Sequence, residues 1–412
     1  MVVEPTPREP TVTPSSKHAR RLPRAILVDP NDGCLTIARA LVKRGVWVHA
    51  VAGPRSAYVG RSRAIEARVV ADLSEGPAPW IAALEPFADD IGGVLISGSD
   101  AATEFLVRER ERIPADLRSF EGPGSAHLRL MNKATLYDAA REAGVRCPWS
   151  REIATLEELD VAAAEVPFPC IVKPSHSHLG KLAGNYRTGL AADVGELRAK
   201  VGAAIEAGVR MLITEWVPGV EANLEGAVTL RTADGGYTLA YGRRKVRQHP
   251  IDFGVGSLLR SATVPATMEL AKRLVEYTGF VGLSSFEAKL HEQTGERVLT
   301  EINVRVPLNY GLGDASGVDA SWRLYATLAG LPLAAQPAQV DGKGVLIPHL
   351  DALAGVSRLR RGELSLRALV RSYRGTRDTG VLSVRDPGPG LTLAHRILRS
   401  RVDRRRSERP LY

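Results

Sequence analysis

The stretch Ser284-Ser285-Phe286-Glu287-Ala288-Lys289-Leu290, followed by a turn and Val298-Leu299-Thr300-Glu301-Ile302-Asn303, decides the fold. Both arms alternate apolar and polar residues, and the connection Gln293-Thr294-Gly295-Glu296 carries a glycine where a tight turn needs a positive φ, so the stretch reads as a β-hairpin. With Thr294 at the tip, Glu287 and Glu301 lie seven positions to either side and are predicted to face each other across the ladder. Asn303 shares their face, because side chains repeat every second residue along a strand. Phe286, Ala288 and Leu290, with Val298, Thr300 and Ile302, are predicted to fill the opposite, core-facing side. Two opposed carboxylates repel by roughly 0.2–1 kcal/mol when exposed, and by more where water is excluded. Compensation can come from a hard cation such as Mg²⁺, which prefers an oxygen-rich Glu, Glu and Asn set, or from Lys289 and Arg305 on a solvated face.

The remainder of the chain bears on that choice. Its 412 residues, 44% of them apolar, exceed one ordinary core and predict two or three domains. No apolar run approaches membrane-spanning length. The Pro- and Thr-rich start, Met1 to Ser16, has no apolar core of a secretory signal and reads as a disordered tail. Three cysteines, Cys34, Cys147 and Cys170, lie scattered without metal-ligand spacing, which predicts a reduced, cytoplasmic setting. The net charge of +9 is spread along the chain except in the stretch from Arg396 to Arg409. An anionic small molecule such as a nucleotide is a better-matched partner for it than nucleic acid.

In chain order, strand Arg24 to Asp29, helix Leu35 to Arg44, strand Val46 to Val51, helix Ala78 to Phe87, strand Gly93 to Ser97 and helix Ala101 to Arg110 give the rhythm of a doubly wound parallel sheet. The loops at the carboxyl ends of such strands hold ligands. Here they are Asp29 to Gly33, Ala52 to Arg55 and Ser97 to Asp100, and no GxGxxG supports a dinucleotide. A helix from Ala126 to Ala143 follows, with Asn132-Lys133 in its first half. Then come strand Pro169 to Pro174 with Lys173, a Ser/His/Gly loop from Ser175 to Gly184, helix Val194 to Ala207 and strand Met211 to Thr214. That strand runs into Glu215-Trp216-Val217-Pro218-Gly219-Val220-Glu221. Strands Ala222 to Leu230 and Tyr237 to Arg244 lead through Gln248-His249-Pro250 to a glycine-bearing segment ending at Ser257. Small residues in the loop after Lys173 let backbone N–H groups approach phosphate oxygens and allow it to move as a lid. His176 and His178 there are phosphate contacts, metal ligands or solvated side chains, and zinc is disfavoured without nearby Cys or Asp.

Taken in order from Leu128 to Leu324, these motifs resemble the ATP-grasp superfamily of carboxylate-amine ligases. The resemblance implies that Lys133 reaches the nucleotide phosphates, that Lys173 bridges adenine and phosphate, and that the loop containing Ser175 and His178 covers the phosphates. It implies an adenine hinge at Glu215, Trp216 and Val217, with Glu221 on the ribose hydroxyls, and a metal site at Glu287, Glu301 and Asn303. Arg305 then meets the transferred phosphate or the substrate carboxylate, while Arg243, Lys245 and Arg247 line the substrate and γ-phosphate region or form a solvated strand face. Two departures stand out: Asn303-Val304-Arg305 replaces the common Asn-Pro-Arg, and the phosphate loop is less glycine-rich.

The expected architecture is α/β throughout, α+β in the ATP-grasp part. A disordered tail (1–22) precedes a doubly wound parallel-sheet domain (23–125) and a two-part ATP-grasp domain (126–330) with a small lid subdomain at about 150–215. A C-terminal extension (331–395), containing Asp386-Pro387-Gly388-Pro389 without assigned chemistry, and a basic tail (396–412) follow. The implied function is an ATP- and Mg²⁺-dependent ligase, with Mn²⁺ as a substitute ion, joining a small carboxylate to an amine or thiol. A kinase or carboxyphosphate-type enzyme, or a nucleotide-binding sensor, are the alternatives. No membrane is implied, and self-association is left open.

Overall fold

A computed structural model of the chain describes residues 22–70, 72–89, 91–175, 188–251 and 254–407. The expected N-terminal tail, His176, His178 and nearly all of the phosphate-covering loop fall outside them. Among the described residues three sheets form a mixed α/β fold. The first is parallel and five-stranded, in the spatial order 66–69, 48–52, 24–28, 93–97, 117–118. Its central strand, Arg24–Val28, is buried from Ala25 onward, as expected of a parallel strand covered on both faces. Asn31 caps the following helix, Asp32–Val42, by accepting from the amides of Gly33 and Cys34 at 2.8 and 3.2 Å. The helix therefore begins three residues ahead of its expected start at Leu35.

The second sheet, antiparallel and four-stranded, has the order 150–153, 211–215, 170–174, 189–191. Helices Leu156–Glu165 and Val194–Glu206 pack on one side of it around Ile153, Val172, Val201 and Ile213. The third sheet has seven strands in the order 297–303, 282–290, 224–231, 237–249, 255–261, 344–346, 376–378.

The expected helix from Ala126 to Ala143 is two helices. His127–Met131 ends at Asn132, which is extended (φ −84°, ψ 124°) and caps a second helix, Lys133–Glu142, through the amides of Ala134 and Thr135. Lys133 thus opens a helix instead of riding inside one.

The C-terminal extension is structured and ties the sheets together. Asp351, on the helix Pro348–Arg360, is buried and accepts from Arg247 Nε (2.9 Å) and Nη2 (2.7 Å), Ser257 Oγ (2.8 Å) and the Tyr373 hydroxyl (2.9 Å). Asp386, in the Asp-Pro-x-Pro element, accepts from Arg39 Nε (2.9 Å), Ser62 Oγ (2.6 Å) and the Arg63 amide (3.0 Å). The element's role is therefore to anchor the extension on the parallel-sheet part. The final helix runs from Gly388 to Ser407, so it starts before Arg396 and carries Pro389 in its first turn, where a missing N–H costs nothing. Among the described residues no helix is long and apolar enough to cross a membrane.

Candidate functional site

The hairpin forms with the expected acidic pair, although its turn is centred between Gln293 and Thr294 and not on Thr294. Strands Gly282–Leu290 and Arg297–Asn303 pair antiparallel, Gly295 sits in the turn at φ 70°, and Glu287 lies directly opposite Glu301, with Ser285 opposite Asn303. A bulge follows Glu287, so Ala288 pairs with Leu299 and not with Thr300. Leu299 is consequently buried in the core, whereas Thr300 turns toward the cleft and donates its hydroxyl to the Glu287 carbonyl at 3.1 Å.

Register carries the acidic pair into a row across four strands: Glu301, Glu287, Gly226 and Arg243. Gly226 leaves the gap that Arg243 fills, since a Cβ there would lie 2.6 Å from Arg243 Nε. Arg243 is 4% exposed, donates to Ser285 Oγ at 2.8 Å and to Asn309 Oδ1, and does not line the cleft. Arg247 is likewise held away from it, in the buried pair with Asp351. Lys245 differs from both. Its ammonium is 2.8 Å from Glu287 Oε1, so Lys245 neutralises the Glu287 half of the hairpin pair directly. Lys289 instead lies over the Trp216 ring, 5.7 Å from its centroid.

Opposite the hairpin, across a cleft of about 570 Å³, stand strand Cys170–Pro174 with Lys173 and the segment from Glu215 to Glu221. Lys133, Lys173, Ser175, Glu215, Trp216, Val217, Glu221, Lys245, Glu287 and Glu301 all border this one volume; Asn303, Arg243 and Arg305 do not. The Glu215 carboxylate is engaged outside the cleft by the Trp149 amide (2.9 Å) and Arg146 (3.1 Å), and its own amide donates to the Trp149 carbonyl at 2.8 Å, which leaves neither group to meet a ligand. Gly219, at φ 124°, makes the turn that brings Glu221 back to the rim. Arg305 donates to Asp100 at 2.7 Å, at the carboxyl end of the parallel strand 93–97, and so occupies the junction of hairpin and parallel sheet.

The electrostatics are those of an anion cradle. Burial pushes Lys173 down to about 7, helped by the charge of Lys133 and a hydrogen bond with it, against the pull of Glu301. Lys133 moves the other way: burial opposes its charge, but Tyr137, Glu301, the Lys173 hydrogen bond and Glu287 outweigh burial and raise it. Burial also opposes the Glu301 carboxylate, and Lys133, Arg305, Lys245 and Lys173 together hold it below the usual carboxylate range. Opposed carboxylates with an amide oxygen beside them on one face are a donor set suited to Mg²⁺, and the surrounding ammonium groups suit phosphate. The residues on the cleft wall fit both groups, Glu287 and Glu301 the ion and the lysines the phosphate, and Asn303 shares the strand face of the two carboxylates without bordering the cleft. Among the described residues there is no cluster of three His, Cys, Asp or Glu that could hold a metal, so the set depends on Asn303 and on ligand oxygens.

Sequence reasoning did not find Tyr137, Thr214, Gln248 and Thr300 on the cleft wall. Thr300 was hidden by the bulge. It also missed Arg358, which pairs with Glu221 at 2.6 Å from a helix remote in sequence, where no local motif announces the contact.

No protein-family model matches the chain, and no curated protein matches it by sequence. Solved structures do. N5-carboxyaminoimidazole synthetase from Staphylococcus aureus, complexed with ADP, aligns at a TM-score of 0.61 and 13% identity over 78% of this chain and 81% of that one. Biotin carboxylase from Campylobacter jejuni, solved as a β,γ-ATP complex, aligns at 0.59 and 15% identity over 78% and 74%. L-amino acid ligase from Bacillus licheniformis aligns at 0.56 and 15% identity over 75% of each chain. This chain is similar to all of them in fold.

Proposed function

We propose that this chain, which has the ATP-grasp fold, is an ATP- and Mg²⁺-dependent ligase that activates a carboxylate as an acylphosphate for attack by an amine or thiol. The observation that supports the reading is that the 215–221 segment, Lys133, Lys173, Lys245, Glu287 and Glu301 all border one cleft. Its volume and chemistry suit a nucleotide with its base at the hinge and its polyphosphate between the lysines and the hairpin.

In this reading the backbone at Glu215 and Val217 binds adenine, Glu221 accepts from the ribose hydroxyls, and Lys133 and Lys173 orient the polyphosphate. Glu287, Glu301 and Asn303 would hold Mg²⁺, which when bound supplies neutralisation of phosphate charge. Lys245 takes up the γ-phosphate once it is released from Glu287. Arg305, at the junction with the parallel sheet, orients the substrate carboxylate. A carboxylate oxygen forms a bond to the γ-phosphorus as the bond to the β-phosphate oxygen breaks and ADP departs. The amine then adds to the acyl carbon, loses its proton to solvent, and expels phosphate with the electrons of the C–O bond. The protein's part is positioning and charge complementarity.

The test is a crossed pool of carboxylic acids and amines assayed for ADP and phosphate. ADP release that requires one acid and one amine together supports ligation. ADP release with an acceptor alone, unchanged by any amine or thiol, identifies a kinase instead.

A further inference from the structure

We propose that Arg358 is a positioning residue of the nucleotide site: from the C-terminal extension it fixes the Glu221 carboxylate toward the ribose, so that ribose recognition depends on the extension. This rests on the reading of the cleft as an ATP site.

Glu221 borders the cleft at the end of the 215–221 segment, and its side chain is only 8% exposed. A carboxylate so placed is costly to keep ionised without a cation close by. Arg358 Nη2 lies 2.6 Å from its Oε2, and Arg358 Nη1 is itself braced by Glu363 Oε2 at 3.2 Å. Asp351 and Arg358 stand seven residues apart on the helix Pro348–Arg360, hence on one face. That face makes one ion pair with strand 237–249 of the third sheet and one with the 221–223 turn that precedes strand 224–231. Asp351 grips Arg247, which does not line the cleft. The Arg358 pair ends instead on a residue that borders the cleft. Accepting from two ribose hydroxyls requires an ionised carboxylate, and a guanidinium 2.6 Å from one oxygen favours that form and restrains the group by ion pairing. The nearby segment is built to the same end. Asn223 donates to the Leu290 carbonyl at 3.1 Å, locking the turn that carries Glu221 to the hairpin.

The experiment measures binding of a non-hydrolysable ATP analogue and of its 2′,3′-dideoxy counterpart to the full chain, by calorimetry with Mg²⁺. The variants are Arg358→Met, Arg358→Lys and Glu221→Gln, each checked by melting temperature. Wild type is expected to favour the ribonucleotide by about tenfold or more, the scale of hydrogen bonds to a charged group. Arg358→Met is expected to shrink that preference to about threefold or less, with dideoxy affinity held within about twofold, while Arg358→Lys retains most of it. Glu221→Gln should abolish the preference whether or not Arg358 is intact, which keeps the test available if Arg358→Met folds poorly. Equal weakening of both ligands in Arg358→Met, or an unchanged preference, overturns the proposal and leaves Arg358 a docking strut. A wild type that binds both ligands equally well also overturns it, with ATP binding intact. A wild type that binds neither overturns the nucleotide reading itself.

Discussion

Lys173 and Lys133 meet in the free chain, and a bound polyphosphate should reverse the consequence. Burial first, and then the neighbouring ammonium, push Lys173 down to about 7. At pH 8.5 most of it is therefore neutral. A polyphosphate in the cleft places opposite charge beside it and restores the protonated form, so nucleotide binding takes up close to one proton at pH 8.5 and close to none at pH 6. The sign follows: above about 7 the free chain lacks a proton that the complex carries, so affinity falls with rising pH, by up to about tenfold per unit. Without nucleotide the order reverses, because the unfolded chain keeps that proton up to its ordinary value of 10.5 and the folded chain loses it at about 7. Stability of the free chain should therefore rise between those limits from this group. The assay is titration calorimetry in buffers of different ionisation enthalpy, whose slope counts protons. In Lys173→Arg, where the guanidinium stays charged throughout, uptake should drop to near zero. No uptake by wild type at pH 8.5, or undiminished uptake in Lys173→Arg, would refute the reasoning.

Other substitutions test other parts. Glu301→Gln should abolish turnover while keeping the fold. Because cations hold Glu301 below the usual carboxylate range, its stabilising effect is full at neutral pH and fades as pH falls through the folded value, so the melting-temperature gap between wild type and variant should close in acid. Gly226→Ala puts a Cβ 2.6 Å from Arg243 Nε and should cost about 1–3 kcal/mol in denaturant unfolding; an unchanged midpoint would mean that Arg243 is not held there. Asp351→Ala leaves Arg247 buried and unpaired, and a loss of about 3–5 kcal/mol is expected; a loss below 1 kcal/mol would show that the C-terminal extension docks without this pair.

What the sequence disclosed was local. Alternation and Gly295 set the hairpin, but its turn is centred between Gln293 and Thr294, and only the bulge after Glu287 restores the expected pairing of Glu287 with Glu301. Lys133, Lys173 and the 215–221 segment were legible because each belongs to a short run of characteristic chemistry. The break at Asn132 was readable in principle as a helix cap, yet apolar spacing runs across it from Leu130 to Leu136 and favours one continuous helix. Helix Leu156–Glu165 announced itself through the capping box of Thr155 and Glu158, which went unread. Edge strand Glu66–Val69 is exposed on most positions and gives no alternation to detect. Contacts set by tertiary packing could not be read: Arg247 meets Asp351 across 104 positions, and Asp386 meets Arg39 across 347. Arg243, Lys245 and Arg247 look alike in sequence, and only packing sends two of them into buried contacts and one to the cleft.

The central claim, carboxylate activation by phosphoryl transfer, is tested most directly by oxygen tracing. The acid found in the pooled screen is labelled with ¹⁸O in its carboxylate and turned over with ATP and the amine, and the released phosphate is analysed by mass spectrometry. An acylphosphate route transfers one labelled oxygen to phosphate in each turnover. Unlabelled phosphate accompanying the ligated product would contradict it.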